Sequence, residues 1–209
     1  DRGLLALPLA SIAASSPYAF AYQPDYIAIM LPRICALLLL ALAASSAVAF
    51  ANGDVEHLIR QGDQFDAALD TQKALQSYLE AERLGGPTPD LLVKIARQYA
   101  FSMNDVASKD EQLKLGEKAL EYSKRAVAMD PRSAKAHLAA AICYGRLASL
   151  VGNRTKVEYS RLIREHVEKS LQFDPTDSYA HHVYGAWHYE LAGISPVLRT
   201  LAKMVYGEI

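Results

Sequence analysis

The amino-acid sequence predicts an all-α protein, a solenoid of antiparallel helix pairs, from two observations. An amphipathic run ending in Asp-Pro occurs twice, as Met-Asp-Pro at residues 129–131 and as Phe-Asp-Pro at residues 173–175. A polar step and a helix rich in small residues follow each copy, and His137 and His181 lie equally far beyond the two prolines. Apolar residues also recur at three- and four-residue spacings, which is the period of an α-helix. A repeated unit that cannot bury its apolar face alone is typical of a helical solenoid.

The first unit begins near Val55 and has the spacing of a 34-residue tetratricopeptide repeat. Gly62 on its first helix and Ala74, Tyr78 and Ala81 on its second helix stand where that repeat has Gly, Ala, an aromatic residue and Ala. A small residue on one helix lets an aromatic ring of the next helix pack closely. We therefore expect Tyr78 to pack against Gly62.

Gly-Gly-Pro at residues 85–87 ends the first unit, and the second unit is predicted to begin at Asp90, a candidate N-cap residue. Four residues of this unit stand 34 positions after their counterparts in the first unit: Leu92, Ile95, Ala96 and Tyr99. Because paired helices approach closely at small residues, leucine at Ala141 or Gly185 is expected to overpack and to cost ~1–3 kcal/mol of stability.

Two later units are expected to be enlarged to about 44 residues, since Pro175 follows Pro131 by 44 positions. A polar surplus at residues 101–112 contributes, and both helices of these units are expected to be longer than usual by a turn or more. The fourth unit is predicted to start at Ser178, with a second helix at residues 197–206. The repeat domain covers residues 54–209, and an unmatched apolar face at its end indicates truncation at the C-terminus.

Residues 1–51 precede the repeats, and only residues 30–51 of them are predicted to serve targeting. Prolines interrupt residues 1–29, which are interpreted as a non-native or disordered leader. Residues 30–51 have the pattern of a signal peptide, with Arg33 as the positive charge, an apolar stretch at residues 34–44 and Ala-Val-Ala at residues 47–49 as a cleavage site. Export to the periplasm or out of the cell is predicted, and a membrane anchor helix at residues 34–51 is the alternative.

Composition and charge favour a binding protein that is not an enzyme. The formal net charge is −1, so no global field attracts nucleic acid or an anionic membrane, and no membrane contact is expected once the signal is removed. The sequence has no GxSxG, no phosphate-binding glycine loop and no HExxH pattern. We therefore expect no catalytic residue and no cofactor. Cys143, within an apolar stretch, is interpreted as a small buried residue.

Histidines offer an alternative of a different class. His181 and His188 are seven residues apart and share a face of the predicted helix, as two metal ligands would. A metal-binding or enzymatic accessory protein that uses this face is the alternative function. The expectation is that these are packing or groove residues and that no metal is bound, because the pattern supplies no third ligand.

The C-terminal stretch AHHVYGAWHYELAGISPVLRTLAKMVYGEI resembles the regulator of microtubule dynamics family. Gly185 and Trp187, followed by Leu198, Ala202 and Tyr206, are the matching positions. The resemblance extends over roughly residues 54–209 and implies a tetratricopeptide-like fold, no catalysis and association with microtubules. A cleavable signal departs from the eukaryotic pattern and suggests an exported bacterial relative.

The predicted function is a non-catalytic scaffold that binds a peptide or helix of another protein in the concave groove of the repeats. The groove is predicted to be lined by residues of the first helix of each unit that face away from the second helix. Those expected to bind are Arg97, Lys135, Leu138, Arg146, His182 and Tyr189, with Ile59, Asp63, Val93 and Glu190 beside them. Regulation of microtubules is the alternative that the family resemblance implies.

Overall fold

The computed structural model describes residues 53–193, and within that range the backbone forms seven α-helices and no strand. The predicted leader, signal peptide and helix at residues 197–206 lie outside the described residues. Among the helices that the structure describes, none is long and apolar enough to cross a membrane.

The helices follow one another in antiparallel pairs, and the all-α solenoid prediction is confirmed. Consecutive helices pack together, and the first helices of successive units also touch, α3 on α5 and α5 on α7. Their bounds are α1 at residues 53–67, α2 Thr71–Gly85, α3 Pro89–Ser102, α4 Lys109–Met129, α5 Ala134–Ala148, α6 Asn153–Phe173 and α7 Ser178–Ala192.

Side-chain caps set the beginnings of several helices. Asp70 accepts a hydrogen bond from the Lys73 backbone N–H, and Ser133 and Asp177 cap α5 and α7 in the same way. The N-cap of α3 is Thr88, and the prediction of Asp90 was wrong. Proline is favoured at the first helical position because its missing N–H has no helical partner, so Pro89 moves the cap one residue before itself.

The second helices of the two units that follow the first are longer than their first helices. The helices α4 and α6 each have 21 residues, whereas α3 has 14 and α5 has 15. The expectation that both helices would lengthen was therefore wrong for the first helix of each unit. Residues 103–108 connect α3 to α4, and Met103 in this connection is buried near Gly116. The longer α4 can thus cover the connection as well as its own unit.

Close packing at glycine is confirmed in the first unit. The Tyr78 ring is fully buried, and a Cβ built on Gly62 would overlap it. The Tyr78 hydroxyl donates to Asp63 Oδ1 over 2.7 Å, so the buried phenol is satisfied.

The two positions where leucine was expected to overpack, Ala141 and Gly185, differ from each other. Ala141 is fully buried, as that expectation requires. Gly185 is exposed, and no described atom lies within 4 Å of a Cβ built there. The described part of the chain therefore gives no support for overpacking at Gly185. A second position of close helix packing, which the sequence did not predict, is Gly116, where a Cβ would lie 2.6 Å from Leu147 Cδ2.

Candidate protein-binding face

The candidate site is one face of the first helices, which we term the first-helix face. Its residues are exposed or half-buried and follow the spacing of a single helix side in α3, α5 and α7. They are Val93, Arg97 and Phe101 on α3, Lys135, Ala139, Ile142 and Arg146 on α5, and Tyr179, His182, Ala186 and Tyr189 on α7.

On α3, the positive charges of this face and beside it, Arg97 and the adjacent Lys94, are neutralised by α1. Arg97 forms an ion pair with Asp66, and Lys94 forms one with Asp63. The Asp66 side chain is only 16% exposed and also accepts a hydrogen bond from Gln98 Nε2 over 2.8 Å. Arg97 thus lies on the predicted face, but its charge holds α3 to α1.

The ionisation of Asp63 supports the same interpretation. Burial raises the pKa of the Asp63 carboxyl, but hydrogen bonds from Lys94 and Tyr78 outweigh it and hold the pKa below its usual value. Asp63 therefore stays ionised at neutral pH and serves as an inter-helix contact, although it was predicted as a groove residue.

On α5, two cations have no carboxylate partner among residues 53–193. Lys135 is exposed and forms no ion pair there. Arg146 is half-buried and donates to the side-chain oxygen of Asn104, which is neutral and leaves the positive charge uncompensated. Both residues lie on the predicted face.

Leu138 does not lie on this face. It is 8% exposed and packs with Ala141, with Val167 of α6 and with Ala180 of α7. Because α7 stacks on α5 and covers this side of the helix, the prediction of Leu138 as a groove residue was wrong.

On α7, the face is aromatic. Tyr189 is 79% exposed, and Tyr179 is 54% exposed. The His182 ring is exposed and stacks on Tyr179 with 6.1 Å between centroids. Glu190 is exposed beside Tyr189. Such rings offer rigid contact area with a polar end, as aromatic residues do in protein interfaces.

The two histidines of the metal alternative are engaged in different contacts. His181 Nε2 lies 2.8 Å from the Pro175 carbonyl oxygen, and His188 packs edge-on against the rings of Tyr184 and Trp187. Within residues 53–193, no group of three His, Cys, Asp or Glu side chains is placed to hold a metal ion.

The equal spacing of His137 and His181 has a structural explanation. His137 Nε2 lies 3.0 Å from the Pro131 carbonyl oxygen, which matches the contact of His181 with Pro175. A carbonyl oxygen only accepts, so Nε2 of His137 carries the proton and its Nδ1 is the acceptor for His166 Nδ1 at 2.9 Å.

His166 itself was missed by sequence reasoning. It lies on α6 between the rings of His137 and Tyr144. Burial and then the neighbouring His137 lower the pKa of His166 to about 4, so its imidazole is neutral at pH 7. Its other charged neighbours, which shift this pKa less, are Glu165 and Lys169 on α6 and Lys124 on α4.

The cysteine and the charged residues of α6 have structural roles. Cys143 is buried, which raises its pKa to about 12 and keeps the thiol protonated. The charges of α6 pair along the helix, Arg164 with Glu168 and Lys169 with Glu165, as expected for a solvated helix side.

The stacked helix pairs define a helical-repeat protein with a tetratricopeptide-like fold. The solved structure of a thermophilic TPR protein from Thermus thermophilus superposes with a TM-score of 0.57 at 20% identity, covering 72% of this chain and 70% of that one. At that identity the likeness shows the fold alone.

The family is shown by sequence. The family model for regulator of microtubule dynamics protein 1-3 matches residues 58–209, so this chain belongs to that family. Regulator of microtubule dynamics protein 1 of Pongo abelii is 32% identical over 78% of this chain and 52% of its own length. The Bos taurus protein is 31% identical over 74% of this chain and 48% of its own length. The chain thus spans about half the length of these curated relatives.

Proposed function

We propose that the chain is a non-catalytic scaffold that binds a segment of another protein on its first-helix face. The observation that carries the proposal is that one face holds two cations on α5 without a described carboxylate partner, Lys135 and Arg146, and the exposed aromatic residues of α7. Cations and aromatic rings on one surface are the composition of protein-binding sites. The tetratricopeptide-like fold and the family of the chain both favour interaction with protein over catalysis.

A photo-crosslinking experiment tests this proposal. A photoreactive phenylalanine analogue would replace His182 or Tyr189 on the face, and Lys156 or Arg161 on α6 as matched exposed controls. In cells that express the full chain, the face positions are expected to crosslink to the same protein and the control positions are not. Equal crosslinking from both pairs, or none from the face, would refute the face as the binding site.

The second candidate function is regulation of microtubules, favoured by the names of the relatives that match at 31–32% identity. Co-sedimentation of the full chain with purified microtubules tests it. Binding that Lys135→Glu with Arg146→Glu abolishes would make the microtubule the partner of the first-helix face. A chain that stays in the supernatant would remove this candidate and leave the scaffold proposal standing.

For localisation, the signal pattern of residues 30–51 supports export, and retention of residues 34–51 as an anchor is the alternative. N-terminal sequencing of the protein from cells distinguishes the two. A first residue at Phe50 or Asn52 is expected after cleavage. A chain that keeps residues 34–51 and sediments with membranes would establish the anchor.

A further inference from the structure

The charges of the first-helix face divide it into two parts. On α3, Lys94 and Arg97 are taken by carboxylates of α1. On α5, Lys135 forms no ion pair within residues 53–193, and Arg146 bonds only the neutral Asn104 among them. The free positive charge of the face is therefore concentrated on α5.

The two α5 cations lie at opposite ends of one helix side. They are eleven residues apart, which is close to three helical turns and about 16 Å along the axis. Ala139 and Ile142 lie between them on the same side and are both half-buried, and the buried part of Ile142 packs against the cluster that contains Leu138 and Ala180. This part of α5 therefore presents a short apolar strip with a cation at each end.

The helices on either side of α5 each contribute an exposed aromatic side chain to this face. Tyr179 is the second residue of α7, as Lys135 is of α5, so the two hold equivalent positions in neighbouring units, which we term one row. Phe101 of α3 stands in the row of Arg146, and it is 38% exposed. Each cation thus has an exposed aromatic side chain one helix away.

Carboxylates are also present in these rows. Asp90 on α3 stands in the row of Lys135, and Glu190 on α7 stands in the row of Arg146. Both are exposed or half-buried, and among the described ion pairs neither is bonded to the α5 cations. These two carboxylates would compete with a bound acidic segment for Lys135 and Arg146.

We propose that the occupant of the α5–α7 part of this face is an amphipathic helix of a partner protein with two acidic side chains eleven residues apart and apolar side chains between them. This inference rests on the proposed function. Two carboxylates eleven residues apart share one side of a helix and match the separation of Lys135 and Arg146. In an extended segment the same distance is about five residues, whose side chains point to opposite sides. The helix is therefore the occupant that engages both cations at once.

In the partner helix, apolar residues four and seven positions after the first acidic residue would face Ala139 and Ile142. The small Ala139 side chain lets a second helix approach α5 closely. At the other end, the Arg146 guanidinium can make two parallel hydrogen bonds to one carboxylate. These contacts select a bound helix by the positions of its apolar and acidic side chains, and therefore also fix its register on α5.

Synthetic peptides of about 18 residues test the inference, since shorter helices are marginal in water. One carries two glutamates eleven residues apart with leucines between them. A second has the same composition with the glutamates about five residues apart, on different helix sides. A third has glutamine in place of both glutamates. Fluorescence anisotropy with the full chain is expected to show the first peptide binding at least about tenfold more tightly than the other two.

Charge-swap variants provide the matched control. Lys135→Glu with Arg146→Glu is expected to lose the glutamate peptide and to bind the corresponding lysine peptide, with helical content by circular dichroism unchanged. Lys156→Glu with Arg161→Glu on α6 makes the same change of charge and is expected to bind as the wild type does.

Equal binding of the three peptides, or no binding of any, would overturn the inference. If crosslinking from His182 and Tyr189 still identifies a partner in that case, the scaffold proposal survives and only the acidic helix falls. Loss of both results would remove the face itself.

Discussion

The α3 and α5 parts of the first-helix face carry similar residues and use them differently. Arg97 on α3 is paired with a largely buried carboxylate of the preceding unit, whereas Arg146 on α5 bonds a neutral amide. A paired cation stabilises the fold, and its loss leaves a desolvated carboxylate without a partner. A cation without a carboxylate is free to bind one from another molecule. Location on the same face thus does not by itself distinguish structural cations from binding cations.

Glycine substitution is expected to give the largest contrast between the α1–α2 unit, to which the α3 cations are paired, and α5. Gly62→Ala places a Cβ into the buried Tyr78 ring and is expected to cost about 1–3 kcal/mol. Gly145→Ala on α5 meets only Ile163 Cδ1 at 3.9 Å. There the better helix propensity of alanine is expected to stabilise by about 0.5–1 kcal/mol. Urea unfolding of the two variants measures both effects, and equal destabilisation would contradict the packing difference.

Removal of one arginine from each part is expected to give a smaller contrast. Arg97→Met leaves Asp66 without its ion pair, although Gln98 remains, and is expected to cost about 1–2 kcal/mol. Arg146→Met removes a bond at the surface and is expected to stay within about 0.5 kcal/mol of the wild type. Should Arg146→Met prove the more destabilising of the two in chemical denaturation, the assignment of roles would be reversed.

Much of the fold could be predicted from the sequence because it depends on local periodicity. The contact of Gly62 with Tyr78 and the turns at Pro131 and Pro175 follow from repeat spacing. The face was only partly predictable. Pairing of Arg97 with Asp66 depends on how α1 lies against α3, and a helical register gives the side of a residue but not its neighbour.

Leu138 and His166 also differ from the sequence predictions because their neighbours lie on other helices. Leu138 is covered by Val167 and Ala180, which belong to later helices whose lateral position the sequence does not give. His166 carried no repeat signal, since its partner His137 is 29 residues away on another helix. The equal spacing of His137 and His181 from proline was the one sign of the histidine contacts, and it indicated the carbonyl contact of each ring.

Acid is expected to affect the two parts in different pH ranges. The folded-state pKa of His166 is about 4, below the unfolded value of 6.5, so its stabilising contribution is complete above pH 6.5 and is lost as pH falls towards 4. The pKa of Asp63 is held below its ordinary value, and its contribution to stability is lost only at lower pH. Between about pH 6.5 and about pH 4, contacts of α5 with α6 should weaken while those of α1 with α3 persist.

Hydrogen exchange followed by mass spectrometry at about pH 7 and about pH 4.5 measures this difference once intrinsic rates are corrected. Protection is expected to fall in α5 and α6 and to be retained in α2 and α3. In His166→Gln, which has no titrating ring, the extra loss in acid is expected to disappear. A uniform loss along the chain would show that His166 does not control the response.

If α3 cations hold the fold and α5 cations bind a partner, two double variants should separate stability from affinity. Unfolding free energy and affinity for the glutamate peptide are measured for Lys94→Gln with Arg97→Gln and for Lys135→Gln with Arg146→Gln. The α3 variant is predicted to lose stability and to keep its affinity, and the α5 variant to keep stability and to lose at least about tenfold in affinity. Two variants that change both quantities alike would contradict the division of roles.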